Sequence, residues 1–180
     1  MAKIIIGLAG EMASGKGTVS EYLKSKYNSD SFRFSDTFRK ILENLNLECS
    51  RKNMSDLSLV LRNTFGEDIL AKSIAKDVKK SKSEVVALDG VRRVEDIRYL
   101  KENPDFKLVF VETDIETRHK RMMKRGENKG DNKKTFEDFK KDHAMDADSR
   151  IKNLKNIADG VVDNNGTLED LHKQVDELIK

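Results

Sequence analysis

Very little in this chain would let it be cross-linked by disulfides, anchored in a bilayer or drawn to a polyanion. Cys49 is its one cysteine, so no internal disulfide can form, and a reducing compartment, the cytoplasm, is predicted. Nowhere do about 18 apolar residues run together, so no spanning helix and no membrane partner are expected. The opening run Met1 to Gly10 is apolar but broken by glycine, well short of the apolar stretch of a secretory leader, and is expected to be a strand. Charge of one sign is scarce in net terms: 35 Lys plus Arg against 32 Asp plus Glu leave +3, which does not suit a dedicated nucleic-acid binder. No internal repeat or low-complexity tract is visible. The 180 residues fit one domain with its own core, expected as a monomer or weak homodimer.

Five stretches read as strands: Lys3 to Leu8, Ser31 to Phe34, Glu84 to Leu88, Phe106 to Val111 and Gly160 to Val162. Three are near-continuous apolar runs, as strands covered on both faces require. Charged segments of helical period separate them, so the spacing predicts an α/β fold with a parallel, doubly wound sheet. Thr113 with Glu116, and Thr167 with Asp170, have capping-box spacing, and Asn165-Gly166 supplies a turn before the last helix. Two segments are too long and polar for simple crossovers. Residues 35–83 read as a helical acceptor-binding insertion and 126–157 as a lid.

The strongest local pattern is Gly10-Glu-Met-Ala13-Ser14-Gly15-Lys16-Gly17-Thr18, which follows a strand and opens the helix Thr18 to Lys26. Glycines let the backbone aim successive N–H groups at phosphates, and the helix N-terminus adds partial positive charge. These residues are therefore candidates to bind ATP, with Lys16 bridging its outer phosphates. Gly17 stands where a P-loop usually has a magnesium-binding hydroxyl, so Thr18 is the nearest candidate ligand. The alternative is a glycine-rich turn that binds nothing.

A second pattern is the apolar strand Val85 to Leu88 ending in Asp89-Gly90-Val91-Arg92. Ligands in open α/β sheets sit at strand carboxyl ends, so Asp89 is a candidate to hold Mg2+ directly or through water, and Arg92 to meet a phosphate. A third is Phe34-Ser35-Asp36-Thr37-Phe38-Arg39, where Asp36 and Arg39 share the first turn of a helix. Its alternative is an N-cap by Ser35 or Asp36 beside a solvated arginine.

These motifs resemble those of adenylate kinase-like nucleoside monophosphate kinases. Their phosphate loop ends in G-K-G-T, as Gly15 to Thr18 does. Their acceptor helix carries S-x-G-D-x-x-R, matched here by Ser35, Asp36 and Arg39 without the glycine, and their D-G-F-P-R is echoed by Asp89-Gly90-Val91-Arg92. No counterpart of their base-reading glutamine stands in Val94 to Ile97. The stretch Ala158 to Leu171 with Gln174-Val175 resembles the end of dephospho-CoA kinases, which phosphorylate a ribose hydroxyl. The whole is most similar to an uncharacterised group of predicted nucleotide kinases related to both. The resemblance implies a three-layer P-loop NTPase fold, strand order 2-3-1-4-5, and transfer of the γ-phosphoryl group of Mg-ATP to a small phosphorylated acceptor held by Asp36, Arg39 and Arg92. A nucleoside monophosphate is the first choice of acceptor and dephospho-CoA the second. A non-catalytic nucleotide switch or an RNA-associated ATPase is the alternative of another class.

Arg118, Arg121 and Arg125 fall at i, i+3 and i+7 of the helix after the fourth strand. Such a row suits a transferring phosphoryl group, with a solvated basic face as the alternative. Relatives close a lid-edge arginine over ATP, which favours Arg121 and Arg125 as catalytic residues beside Lys16 and Asp89. Asn128-Lys129-Gly130-Asp131 spells a GTPase guanine motif but follows a charged helix rather than a buried strand, so it is read as a chance match. The acidic stretch Asp142 to Asp148 with His143 has no ligand pattern, and His119 and His172 have no evident partners.

Overall fold

Strands that bury both faces must alternate their side chains into two separate cores. The computed structural model, which describes residues 4–126, 131–144 and 147–179, is built in this way. Strands β1 (Ile4–Ala9), β2 (Asp30–Arg33), β3 (Val85–Val91), β4 (Phe106–Glu112) and β5 (Gly160–Asp163) form one sheet in the order β2-β3-β1-β4-β5. All four pairings are parallel. Helices α1 (Lys16–Tyr27), α2 (Phe34–Asn44), α3 (Arg51–Phe65), α4 (Ile69–Lys80), α5 (Ile115–Arg125), α6 (Phe136–Ala144), α7 (Ala147–Asn156) and α8 (Leu168–Ile179) make the outer layers.

Ile5, Ala9, Val86, Leu88, Leu108 and Phe110 pack with Phe34 and Phe38 of α2, Leu70 and Ile74 of α4, and Ile151 and Leu154 of α7. Through the sheet, Ile6, Leu8, Ala87, Val109, Val111 and Val162 pack with Val19 and Leu23 of α1 and Leu171 and Val175 of α8. Leu8, Leu23 and Leu88 are wholly buried, so truncating any one to alanine should cost about 2–5 kcal/mol. The three-layer α/β fold expected from the sequence is therefore the fold observed.

Several boundaries differ from the sequence reading for physical reasons. Phe34 begins α2 instead of ending β2, because it buries with Phe38 and Leu42 at helical spacing. The N-cap of α2 is then Arg33, so neither Ser35 nor Asp36 caps it. Strand β3 runs on through Asp89 and Gly90 to Val91, paired with Ala9 beyond a register shift. Thr113 makes no capping box with Glu116: Asp114 is the N-cap of α5, and the Thr113 hydroxyl turns to the carbonyl of Ser14. Thr167 and Asp170 do form the reciprocal box.

Between β2 and β3 lie α2, α3 and α4, and between α5 and β5 lie a 3-10 turn, Asp131–Lys133, and helices α6 and α7. Asn128, Lys129 and Gly130 of the guanine-like motif lie outside the described residues, as do Met145 and Asp146 and the side chains of residues 142–149 of the acidic stretch. Among the described residues, no helix is long and apolar enough to cross a membrane.

Candidate functional site

The loop from β1 to α1 must turn back on itself within a few residues, and its backbone shows how. Gly10 has φ 145° and Gly15 φ 101°, values that favour glycine, and Ala13 between them adopts φ 60°. Space forbids a side chain as firmly as φ does. A Cβ on Gly10 would sit 2.5 Å from the Val111 carbonyl oxygen, and one on Gly15 would collide with Nδ2 of Asn164. Gly15 is the N-cap of α1, so the first free amides of that helix open into the cradle.

Lys16, the first residue of α1, donates to the carbonyl oxygens of Gly10 and Glu11 at 2.8 Å each. Burial is the largest influence on its ammonium and lowers its pKa to about 8; the Asp89 carboxylate opposes this, while the guanidiniums of Arg92, Arg125 and Arg118 add to it. Five residues singled out from sequence, Lys16, Asp89, Arg92, Arg118 and Arg125, are thus linked through their charges. Asp89 is buried at the carboxyl end of the sheet and pairs with Arg33, whose Nε donates to Oδ2 at 3.1 Å. A crowd of cations around a carboxylate and a ring of backbone amides suits a polyphosphate. Mg2+ usually takes one or two protein carboxylates and completes its shell with water and phosphate oxygens. Asp89 and the half-buried Thr18 are the oxygen donors offered here.

The cradle is held from behind by residues distant in sequence. The Thr113 hydroxyl and Asn164 Nδ2 both donate to the Ser14 carbonyl at 2.8 Å. Arg118, only 2% exposed, donates from Nε to the Thr113 carbonyl and pairs with Glu11 at 3.0 Å. Arg118 therefore braces the loop, and the row of three arginines does not act as one set. Arg121 donates through Nη2 to the Asn164 carbonyl at 3.0 Å. Its Nη1 is buried without a hydrogen-bond partner among the described residues, 3.8 Å from the position of a Cβ on Gly15. An orphaned guanidinium nitrogen beside an anion cradle is a group in need of an acceptor. Arg125 is exposed at the end of α5.

Asp36 is exposed in the first turn of α2 and Arg39 is half-buried one turn on. Arg92 projects from the end of β3, and its loop is pinned by Asp96. One Asp96 oxygen accepts the backbone N–H groups of Arg92 and Arg93 at 3.0 and 3.1 Å, and the other pairs with Arg62 of α3 at 2.8 Å. Both charges are nearly fully buried, and Arg62 also donates to the Glu67 carbonyl.

Sequence reasoning missed Arg33, Glu11, Asn164 and the Arg62–Asp96 pair. Register was the available sign for Arg33, because strand pairing sets it directly beside Asp89. Asn164 read as part of a turn, and only the closed sheet brings it to Ser14. The two histidines do have partners: His119 Nε2 lies 2.9 Å from the Lys134 carbonyl, and His172 stacks on Tyr22 at 3.8 Å. Asp131 of the guanine-like motif is bound to Arg51 instead of ending a strand.

Along nearly its whole length the chain is similar to the UPF0200 protein MJ1399 of Methanocaldococcus jannaschii, with 26% identity over 179 residues that span 98% of this chain and 89% of that one. In three dimensions it is similar to TT1252 from Thermus thermophilus, with a TM-score of 0.62, 19% identity, and coverage of 99% of this chain and 97% of that one. It is also similar to shikimate kinase from Acinetobacter baumannii, at a TM-score of 0.55, 18% identity, and coverage of 98% and 93%. The fold is thus one shared with P-loop kinases. Residues 9–140, from the end of β1 into α6, match the AAA domain family AAA_17, and the chain belongs to that family.

Proposed function

We propose that this chain is an ATP-dependent phosphotransferase that moves the γ-phosphoryl group of Mg-ATP to a small phosphorylated acceptor, a nucleoside monophosphate before others. The observation that carries the reading is the setting of Lys16: an ammonium held by two loop carbonyls, with Asp89, Arg92 and Arg125 acting on its charge. Gly10, Ala13, Ser14, Gly15, Gly17 and Thr18 shape the cradle for the ATP phosphates, and Lys16 and Arg121 receive their charge. Asp89 and Thr18 would hold Mg2+, which when bound neutralises charge on the phosphate oxygens. Asp36, Arg39 and Arg92 orient the acceptor. Arg125 meets charge that develops during transfer, and the segment 126–157 closes to exclude water.

A hydroxyl acceptor such as dephospho-CoA is the second reading. It is supported by Asp89, a buried carboxylate of a kind that can take a hydroxyl proton, and by the fold shared with a shikimate kinase. The test is an ADP-release screen with purified protein and Mg-ATP over nucleoside monophosphates, dephospho-CoA and other small phosphorylated metabolites. Acceptor-stimulated ADP release supports the reading and chooses between acceptors. ATP turnover that no acceptor stimulates, with tight salt-dependent RNA binding, would replace it with an RNA-associated ATPase.

A further inference from the structure

We propose that Phe139 of α6 is a positioning residue for the phosphate loop: its ring seats the Arg118 guanidinium, and Arg118 in turn fixes the loop residue whose carbonyl holds Lys16. The inference rests on the nucleotide-binding part of the kinase reading and adds to it a residue that touches no nucleotide. Phe139 is 0% exposed, yet it belongs to neither of the two cores that flank the sheet. Among the described side chains of α6 it is the one that is buried, since Phe136 is half-buried and Glu137, Asp138, Lys140 and Lys141 are exposed. Its ring faces α5. The Arg118 guanidinium carbon stands 5.7 Å from the ring centre, and the His119 ring lies 5.4 Å from it.

A guanidinium buried as deeply as that of Arg118 is tolerated only where its donors and its charge are answered. Nε donates to the Thr113 carbonyl at 3.0 Å and Nη1 to the Met12 carbonyl at 3.4 Å, while Nη2 pairs with Glu11 Oε2 at 3.0 Å. Met12 and Glu11 belong to the phosphate loop, and the Glu11 carbonyl accepts from Lys16 Nζ at 2.8 Å. The contacts therefore run from Phe139 through Arg118 and Glu11 to Lys16, from the segment proposed to close over the site to the ammonium proposed to meet the phosphates. Filling space would account for a buried phenylalanine anywhere. The cation against its ring is what sets this one apart, because an aliphatic side chain offers a guanidinium no negative face.

The test is calorimetric titration of Mg-ATP into wild type, F139L, F139Y, R118M and F139L/R118M, each well below its melting temperature. F139L stays apolar but loses the ring face, and is expected to weaken ATP about tenfold; F139Y keeps the ring and is expected within about threefold of wild type. R118M is expected to lose at least as much as F139L. The double variant should bind within about threefold of R118M, because the ring acts through the guanidinium. F139M, a flexible filler of the same space, replaces F139L if that variant does not fold. A leucine or methionine variant that melts lower but binds ATP as wild type does, or losses from the two substitutions that add in full, would make Phe139 a packing residue and overturn the proposal alone. Wild-type protein that binds no Mg-ATP would overturn the nucleotide-binding reading and the proposal with it.

Discussion

Nη2 of Arg51 lies 3.0 and 3.1 Å from the two carboxylate oxygens of Asp131, joining the first turn of α3 to the 3-10 turn beyond α5. The two residues stand 80 positions apart, in the segments proposed to hold the acceptor and to form the lid. Asp131 is only 3% exposed in its side chain, so removing one partner should cost more than breaking an ordinary surface ion pair. R51A and D131N should each lower the melting temperature and speed release of bound nucleotide. The double variant should cost less than the sum of the two, by a coupling on the order of 1 kcal/mol. Strict additivity in melting and in stopped-flow release would remove the link between the segments.

Lys16 gives the binding of nucleotide a defined pH dependence. Its pKa lies near 8 in the folded chain, against 10.5 ordinarily. The folded state thus binds fewer protons than the unfolded one between about pH 8 and 10.5, and this group makes stability rise across that window and penalises folding below it. Polyphosphate favours the ammonium, so binding near pH 8 should take up protons, and affinity should fall as pH rises further. Calorimetry of ATP binding at pH 8.3 in two buffers of different ionisation enthalpy reads the uptake. K16A should abolish the uptake and phosphoryl transfer together, with the fold intact.

Gly15 and Asn164 test the cradle by shape. G15A suffers both a clash with Nδ2 of Asn164 and a strained φ of 101°, and should lose nucleotide binding by a hundredfold or more. G15A/N164A removes the clash but keeps the strain and gives up the Asn164–Ser14 bond, so it should recover part of the affinity and not all of it, measured against N164A alone. Full recovery would mean that the backbone angle is immaterial to the site.

The arginines should separate kinetically once an acceptor is known. R39A should raise the acceptor KM about tenfold to a hundredfold, as for a lost charge-assisted contact, with the ATP KM nearly unchanged. R125A should instead lower kcat, because its contact strengthens as charge develops. If R39A weakens ATP alone, or both variants behave as wild type, this division of roles is wrong. D96A tests the support of Arg92: leaving Arg62 with its charge buried should cost about 3–5 kcal/mol in denaturant unfolding, while R62M/D96L should cost less.

How much of this could be read from residues alone depended on how local each signal was. The sheet was legible because runs such as Val85 to Leu88 and Phe106 to Val111 bury both faces and advertise it in composition. The loop was legible because Gly10, Gly15 and Lys16 carry their constraint within a few residues. Phe34 misled because an aromatic at a strand end looks the same as one at a helix start until Phe38 and Leu42 are counted with it. Thr113 misled because capping spacing is short and common, whereas its true partner is 99 residues away. Arg118 could not be told from Arg121 and Arg125, since helical spacing gives a face and not what stands opposite it. Arg33 and Asn164 needed strand order and register, which no window of sequence contains.

The two bonds that shape the Ser14 carbonyl have a consequence for when the site comes into being. They reach from Ser14 to Thr113 and Asn164, across 99 and 150 residues. During synthesis the phosphate-loop sequence emerges before its supports, which lie at the exits of β4 and β5. Contacts of such long range form late, after the chain between them has lost its freedom. The growing chain therefore carries a recognisable loop long before it carries a cradle. The cradle is complete only once β5 and Asn164 have been made, and a fragment ending before Asn164 should lack the proposed nucleotide affinity even with Gly10 to Thr18 intact.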